Sequence, residues 1–202
     1  MLTGREEFPQ PKKVTLAVDF DEAGHLHMVM NELAGIADRL PLVTQIHPTS
    51  RSSTTEDLED AIRDLTRHFT YLAHTVANRD RQAHRYPRRH TAQLREGTAA
   101  LARAATPTGR ALASLGEAVT VTGHLHHLTH SPTEPGHAED LQHTRTVLNG
   151  HITQARTHLL AAARQLRADA HRLLTAQAPA ASSALTTLPV PAASSSHRGH
   201  GR

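Results

Sequence analysis

The densest group of side chains that could do chemistry is a run of arginines in the middle of the chain. Six of them fall within 17 residues, and Asp80 is the single acidic residue among them. The six are Arg79, Arg81, Arg85, Arg88, Arg89 and Arg95. Because a guanidinium group pairs bidentately with phosphate oxygens, the cluster predicts contact with nucleic acid without sequence specificity. The alternative is a structural role, since arginines near the C-terminus of a helix interact favourably with its dipole.

The surroundings of the arginines limit the kind of nucleic-acid binding. Tyr86 is the one aromatic residue within the cluster. Binding of single strands on aromatic platforms is therefore not favoured by the sequence. A helix-turn-helix is not indicated either, because the break at Tyr86-Pro87 lacks the short glycine-containing turn of that motif.

Two histidines at helical spacing form the second candidate site. His126 and His130 lie four residues apart, so on a helix their imidazoles can converge on one metal ion. At about 100° per residue, Leu125 and Leu128 occupy the core side of this helix and the two histidines the opposite side. A catalytic metal site needs an enclosed cavity and supporting hydrogen bonds. The pair is thus only a hypothesis for a His-ligated metal-dependent enzyme, and no cofactor is expected.

Sequence motifs of nucleotide-binding and hydrolytic enzymes are absent. The chain has no cysteine, which excludes thiolate zinc sites, disulfides and a cysteine nucleophile. It contains no G-x-G-x-x-G, G-x-x-x-x-G-K-[ST], H-E-x-x-H or G-x-S-x-G pattern. Five of the 19 carboxylates crowd the start of one helix, where Glu56, Asp60 and Asp64 follow at four-residue spacing like a solvated face. We expect a protein that is not an enzyme.

Apolar residues recur at alternating steps of four and three, which is the pattern of one face of an α-helix. Three segments carry this pattern over several turns. They are Leu26, Val29, Leu33, Ile36 and Leu40; Leu58, Ile62, Leu65, Phe69, Leu72 and Val76; and Leu148, Ile152, Ala155, Leu159, Ala162 and Leu166. Because each stripe must be buried against another element, the sequence predicts a mostly α, single-domain helical bundle.

Proline and glycine set the predicted helix ends. The first helix is expected at 22–40, before Pro41, and the second ends near residue 84, before Tyr86-Pro87. The turn signal Thr106-Pro107-Thr108-Gly109 divides residues 88–130 into two helices, and a loop precedes the last helical region at 137–177. Asn149-Gly150 is also a turn signal, although the apolar stripe stays in register across it. Five or six helices are expected.

The two ends of the chain have a different character from the bundle. Residues 14–20 and 42–46 alternate like strands, and they form either a short two-stranded element or extended segments lying on the bundle. The Ala/Ser/Pro-rich composition of residues 178–202 predicts a disordered tail. The expected organisation is an N-terminal extended segment (1–20), a bundle domain (21–177) and this tail (178–202).

Charge and hydropathy define the class of protein. The net charge of +3 is uneven, because residues 1–66 are acidic and residues 67–110 hold nine arginines against two acids. No stretch approaches the roughly 18 apolar residues that span a bilayer, and the first residues lack the apolar segment of a signal peptide. We expect a cytoplasmic protein without a membrane partner. The scarcity of lysine beside abundant arginine and alanine is typical of a high-GC bacterial genome.

These features lead to three hypotheses about function. The first is a non-enzymatic scaffold or regulator that binds a protein partner, or a second copy of itself as a homodimer, through its apolar helical seams. The second is a nucleic-acid-associated protein that contacts phosphates through the cluster from Arg79 to Arg95. The third is a metal-dependent helical-bundle enzyme that uses His126 and His130.

Overall fold

Four α-helices account for most of the chain that the structure describes. A computed structural model describes residues 21–41, 51–130 and 136–183. The helices are α1 (Glu22–Arg39), α2 (Arg51–Arg85), α3 (Ala92–His130) and α4 (His137–Ser183), and a short 3-10 helix, Pro87–Arg89, lies between α2 and α3. The mostly-α prediction is confirmed. The predicted strands at 14–20 and 42–46, like residues 184–202 of the predicted tail, lie outside the described residues.

Both ends of α1 are satisfied by identifiable hydrogen bonds. The Asp21 side chain accepts a hydrogen bond from the Ala23 N–H at 3.1 Å, which pairs one of the donors that a helix start leaves without a partner. At the other end, Arg156 of α4 donates to the carbonyl oxygens of Ala37 at 3.1 Å and Leu40 at 2.6 Å. The predicted span of 22–40 therefore matches the structure to within one residue. Its end is held by a distant arginine.

The second helix lies antiparallel to the first. Contacts between the two occur in opposite order along them: Arg39–Asp64 (2.9 Å), Glu32–His68 (3.2 Å) and Glu22–Arg79 (2.8 Å). The predicted apolar stripe of α2 faces the core, since Leu58, Leu65 and Leu72 are at most 1% exposed. Burial of this stripe is what stabilises a helix whose other faces are polar.

The third helix is continuous through the break predicted at residues 106–109. Pro107 lies inside α3, so the prediction of two separate helices is wrong and the expected five or six helices are not confirmed. An interior proline removes a hydrogen bond and clashes with the carbonyl four residues earlier, which costs about 3 kcal/mol. Ala104, Thr108 and Ala111 around it are all 0% exposed. Packing of this segment against neighbouring helices offsets the cost.

We expect the substitution Pro107→Ala to stabilise the protein by about 2 kcal/mol. Alanine restores the N–H that can donate to the carbonyl of Arg103, a gain of about 3 kcal/mol, while the more flexible unfolded chain takes back up to about 1 kcal/mol. The free energy of unfolding in urea measures the change. The exposed neighbour substitution Thr106→Ala is the control, expected to stay within about 0.5 kcal/mol of the wild type. Destabilisation by Pro107→Ala would show that α3 is bent around the ring.

The last helix is also uninterrupted. Asn149-Gly150 lies inside α4, and Leu148 and Ile152 on either side are both 1% exposed. Of the two signals that conflicted in the sequence, the continuous stripe therefore prevails over the turn dipeptide. At 1.5 Å per residue, α4 is about 70 Å long. It continues beyond the end predicted at Gln177.

The four helices pack as an antiparallel bundle. α3 packs most extensively against α4, α1 packs against α4, and α2 packs against α3. Asp169 of α4 is 0% exposed and pairs with Arg103 of α3 at 3.2 Å, which fixes the register of these two long helices. No helix in the described residues is long and apolar enough to cross a membrane. The bundle places the α2–α3 connection at one end, where most of the predicted arginine site lies.

Candidate functional site

The structure divides the predicted arginine cluster in two. Five of its members are exposed and surround the α2–α3 connection, a surface that we name the arginine corner: Arg81, Arg85, Arg88, Arg89 and Arg95. The sixth, Arg79, is only 7% exposed and pairs with Glu22 of α1. Arg79 therefore does not belong to the predicted phosphate-binding surface. The prediction needs this correction because a buried, paired guanidinium cannot reach a phosphate in solvent.

The backbone of the arginine corner is held by a series of hydrogen bonds. The Tyr86 N–H donates to the Gln82 carbonyl at 2.8 Å, and the Arg89 N–H donates to the Tyr86 carbonyl at 3.0 Å. Pro87 occupies the first position of the 3-10 helix, where its fixed φ is compatible and its missing N–H is no loss. The connection is a compact turn, so the arginines on it start from a defined geometry.

The start of α3 fixes the last member of the corner. The Leu94 N–H donates to Thr91 Oγ1 at 3.1 Å, the hydrogen bond of an N-cap. The guanidinium of Arg95 donates to the carbonyl of His90 at 2.9 Å, so one of its donors is used by the connection itself. The Arg95 side chain is nevertheless exposed at the same end of the bundle.

The five corner arginines carry no carboxylate partner in the described residues. None of them forms an ion pair there: of the two acids adjacent to them in sequence, Asp80 lies 3.8 Å from His84 and Glu96 pairs with Arg103 at 3.2 Å. Elsewhere on the same helix Arg63 is paired with both Glu59 and Asp60 at 2.6 Å. The corner thus carries a net positive charge, since five guanidinium groups lie beside only these two carboxylates.

Beneath the corner lies a buried polar network that the sequence did not predict. Glu22 pairs with Arg79 at 2.8 Å, and their side chains are 6% and 9% exposed. Arg79 also lies 3.0 Å from His25 Nδ1, and His25 Nε2 lies 2.6 Å from the Tyr71 hydroxyl. Because arginine has no acceptor, His25 Nδ1 must accept, so Nε2 carries the proton and donates to Tyr71. The network ties the end of α2 to the start of α1.

Burial changes the titration of two members of this network. Burial raises the pKa of Glu22, and the guanidinium of Arg79 opposes that rise. Burial also lowers the pKa of His25, and the positive charge of Arg79 lowers it further. Glu22 Oε1 is buried without a hydrogen-bond partner, which is consistent with the difficulty of ionising this carboxyl group. The ion pair with Arg79 is what compensates the Glu22 charge.

A glycine on α3 makes room for this network. A Cβ added at Gly97 would lie 2.5 Å from Glu22 Oε2, closer than any real contact of that kind. Gly97 therefore lets α3 approach the carboxylate directly. The start of α1, the end of α2 and the start of α3 meet at one point directly below the arginine corner.

The predicted histidine pair lies far from the corner, near the other end of α3. The rings of His126 and His130 are 4.2 Å apart, and both residues are exposed. His130 Nδ1 lies 2.8 Å from the His126 carbonyl, so it donates and leaves Nε2 as the acceptor. No group of three or more metal-ligating side chains forms within the described ranges. The metal site stays a prediction that rests on these two imidazoles.

A groove between α1 and α2 is another candidate site, and its charges are more nearly balanced than those of the arginine corner. It has a volume of about 340 Å³ and is lined mostly by charged side chains: Arg39, Asp57, Asp60, Ala61, Arg63, Asp64 and Arg67. Its arginines are paired with its own carboxylates, as Arg39 is with Asp64 at 2.9 Å. Such a groove has little remaining charge with which to attract a ligand, so the corner is the better candidate.

Relatives give no independent guide to this site. Comparison of the chain with protein-family models, with curated proteins and with solved structures finds no significant match.

Proposed function

We propose that this protein is a non-enzymatic binding protein whose arginine corner contacts the phosphate backbone of nucleic acid without reading its sequence. The observation that carries the proposal is the set of five exposed arginines that have no carboxylate partner in the described part of the chain. Unpaired arginines supply the electrostatic, sequence-independent part of nucleic-acid affinity.

The spacing of the corner arginines supports contact with a phosphate chain. Arg81 and Arg85 are four residues apart on α2, a separation of about 6 Å along the helix axis. Both arginines therefore lie on one face of α2, one turn apart, where they can contact phosphates of the same strand. Arg88 and Arg89 continue the positive charge around the connection. The surface can therefore follow a backbone over several nucleotides.

The charges of the described helices also favour binding at this end. The acidic start of α2 lies about 35 Å from the corner along the helix, well beyond the screening distance of about 10 Å at moderate salt. It leaves the attraction at the corner intact.

The hypothesis of a protein partner required apolar helix surface that is not already buried within the chain. The stripe residues that are fully buried lie within one chain, and the exposed large apolar residues are spread over all the elements: Met28, Tyr71, Tyr86, Val119, Leu160 and Leu174. Single exposed apolar side chains are ordinary on a protein surface. These exposures therefore support the helical seams less well than the arginine corner as a binding surface.

Fluorescence anisotropy with random-sequence duplex and single-stranded oligonucleotides tests the proposal. The variant R85E/R88E/R89E is compared with R110E/R145E/R164E, which changes the net charge equally along α3 and α4. We expect wild type and the second variant to bind with similar affinity, and the corner variant to bind at least 10-fold more weakly. The logarithm of affinity falls with that of salt by about 0.9 per phosphate contact on duplex, so three lost contacts reduce the slope by about 2.7.

Three results would contradict the proposal. The first is no binding at low salt by wild type, and the second is equal binding by the two charge-reversal variants. The third is displacement of the oligonucleotide by polyglutamate as readily as by polyphosphate, which would show that the corner recognises acidic protein rather than phosphate. Circular dichroism of each variant verifies that its helices are intact.

A further inference from the structure

The most exposed large apolar side chain in the described residues lies inside the arginine corner. Tyr86 is 56% exposed, more than Val119 at 49% or Met28 at 46%. It is located between Arg85 and the 3-10 helix that carries Arg88 and Arg89. An aromatic ring is thus presented to solvent at the point where the positive charge is densest.

The position of the ring is defined from two sides. The guanidinium of Arg89 lies over it, 5.6 Å from the ring centroid, as in a cation–π contact. The backbone N–H and carbonyl of Tyr86 are both hydrogen-bonded, to Gln82 and Arg89. A ring that is already oriented loses little conformational freedom when a flat ligand stacks on it.

We infer that Tyr86 is a stacking platform for an unpaired base, so that the arginine corner takes single-stranded nucleic acid in preference to duplex. This inference rests on the proposed function, since the arginines must first hold the phosphates. In a duplex the bases are stacked on each other and their faces are closed to a side chain. In a single strand a base can stack on Tyr86 while the neighbouring phosphates contact Arg85 and Arg88.

The structure gives Tyr86 a stronger case as a stacking residue than the sequence did. From the sequence, one tyrosine among six arginines did not favour recognition of single strands. The exposure of Tyr86 and the guanidinium that backs its ring supply what composition could not show. One tyrosine stacks on one base. We therefore expect a base-bearing strand to bind about 5-fold more tightly than a strand without bases, the low end of the effect of a single stacked base.

The discriminating experiment compares three labelled ligands with the full chain at the same salt. They are an oligothymidylate, an abasic oligonucleotide with the same number of phosphates, and a duplex of the same length. We expect wild type to bind the oligothymidylate about 5-fold more tightly than the abasic strand. Tyr86→Ala should remove this difference and leave the affinity for the abasic strand unchanged, whereas Tyr86→Phe should retain it.

The outcomes separate this inference from the proposed function. Equal affinity of wild type for the base-bearing and abasic strands overturns the role of Tyr86, while salt-dependent binding of both keeps the phosphate contact. Duplex binding as tight as that of the oligothymidylate overturns the preference for single strands. Absence of binding to all three ligands overturns the proposed function, and this inference with it.

Intrinsic fluorescence gives a second readout that a purely electrostatic role would not move. The chain has two tyrosines and no tryptophan, so any quenching that is present in the wild type and absent in Tyr86→Phe belongs to Tyr86. Stacking of a base should quench the tyrosine emission on addition of the oligothymidylate but not of the abasic strand or polyphosphate. Equal quenching by all three, or none, contradicts the inference.

Discussion

Replacing Arg79 by methionine should lower the free energy of unfolding by about 3–5 kcal/mol, the range seen when one partner of a buried ion pair is removed. The substitution leaves the Glu22 carboxylate buried with no guanidinium beside it, and its Oε1 already lacks a partner. Methionine fills only part of the space and cannot donate to His25 Nδ1, so the cost includes this lost hydrogen bond as well as the uncompensated charge. Urea unfolding followed by far-UV circular dichroism gives the value.

Two further variants show whether the cost comes from the buried charge. Arg81→Met makes the same chemical change two residues away at an exposed position, and it should shift stability by about 0.5 kcal/mol or less. The double variant E22Q/R79M leaves no charge buried at this site and should recover the part of the loss that comes from the Glu22 carboxylate. A cost below about 1 kcal/mol for Arg79→Met alone would contradict a buried, interacting pair.

The cost of Arg79→Met should also shrink as the pH falls. Burial raises the pKa of Glu22, and without Arg79 nothing opposes that rise, so acid neutralises the orphaned carboxyl group in the variant. In the wild type, burial and Arg79 hold the pKa of His25 below its ordinary value of 6.5, so stability is lost as the pH falls below 6.5. In the variant, Arg79 no longer lowers the pKa of His25, so less stability is lost in acid. Both effects narrow the gap in acid.

The arginine cluster shows where sequence reasoning succeeded and where it stopped. The exposure of five arginines follows from their types and from the ends of the helices that carry them. Arg79 follows Val76 by three residues, so it occupies the next position of the apolar stripe of α2. That register was the available signal that Arg79 is buried. Its partner Glu22 lies 57 residues earlier, and only the packing of α1 on α2 brings the two together.

The helix boundaries also fall into those that local sequence predicts and those that depend on packing. The start of α1 at Glu22 and its end before Pro41 carry local signals and could be predicted, whereas the hydrogen bonds from Arg156 to its last carbonyls could not. Continuity of α3 through Pro107 and of α4 through Asn149-Gly150 could not be predicted either. In each case a local signal for a break competes with burial against neighbouring helices, and the strength of that burial is not written in the local sequence.

The geometry of the exposed corner depends on the buried network. Arg79 and Gly97 fix the ends of α2 and α3 against α1, and the connection between those ends carries the corner. Loss of the Arg79–Glu22 pair should therefore loosen the spacing of the exposed arginines. A binding site on a rigid support loses less entropy when it takes its ligand. The sequence could not reveal this relation, because it joins residues from three helices.

The substitution Leu159→Ala should lower the free energy of unfolding by about 2–5 kcal/mol, the range for a buried leucine that leaves a cavity. Leu159 lies in the middle of the α4 stripe and is 0% exposed. Alanine keeps the helix propensity, so lost packing accounts for the change. Urea unfolding at two protein concentrations, about tenfold apart, gives both the cost and its dependence on association.

The concentration dependence decides between two roles for the apolar seams. When the stripes are buried within one chain, as the 0% exposure of Leu159 and Leu166 indicates, the midpoint of unfolding is the same at both concentrations. The matched control is Leu174→Ala, on the same helix but 45% exposed, where about 1 kcal/mol or less is expected. A midpoint that rises with concentration in the wild type and no longer does so in Leu159→Ala would instead place Leu159 in a homodimer interface. That result would restore the seams, in place of the arginine corner, as the binding surface.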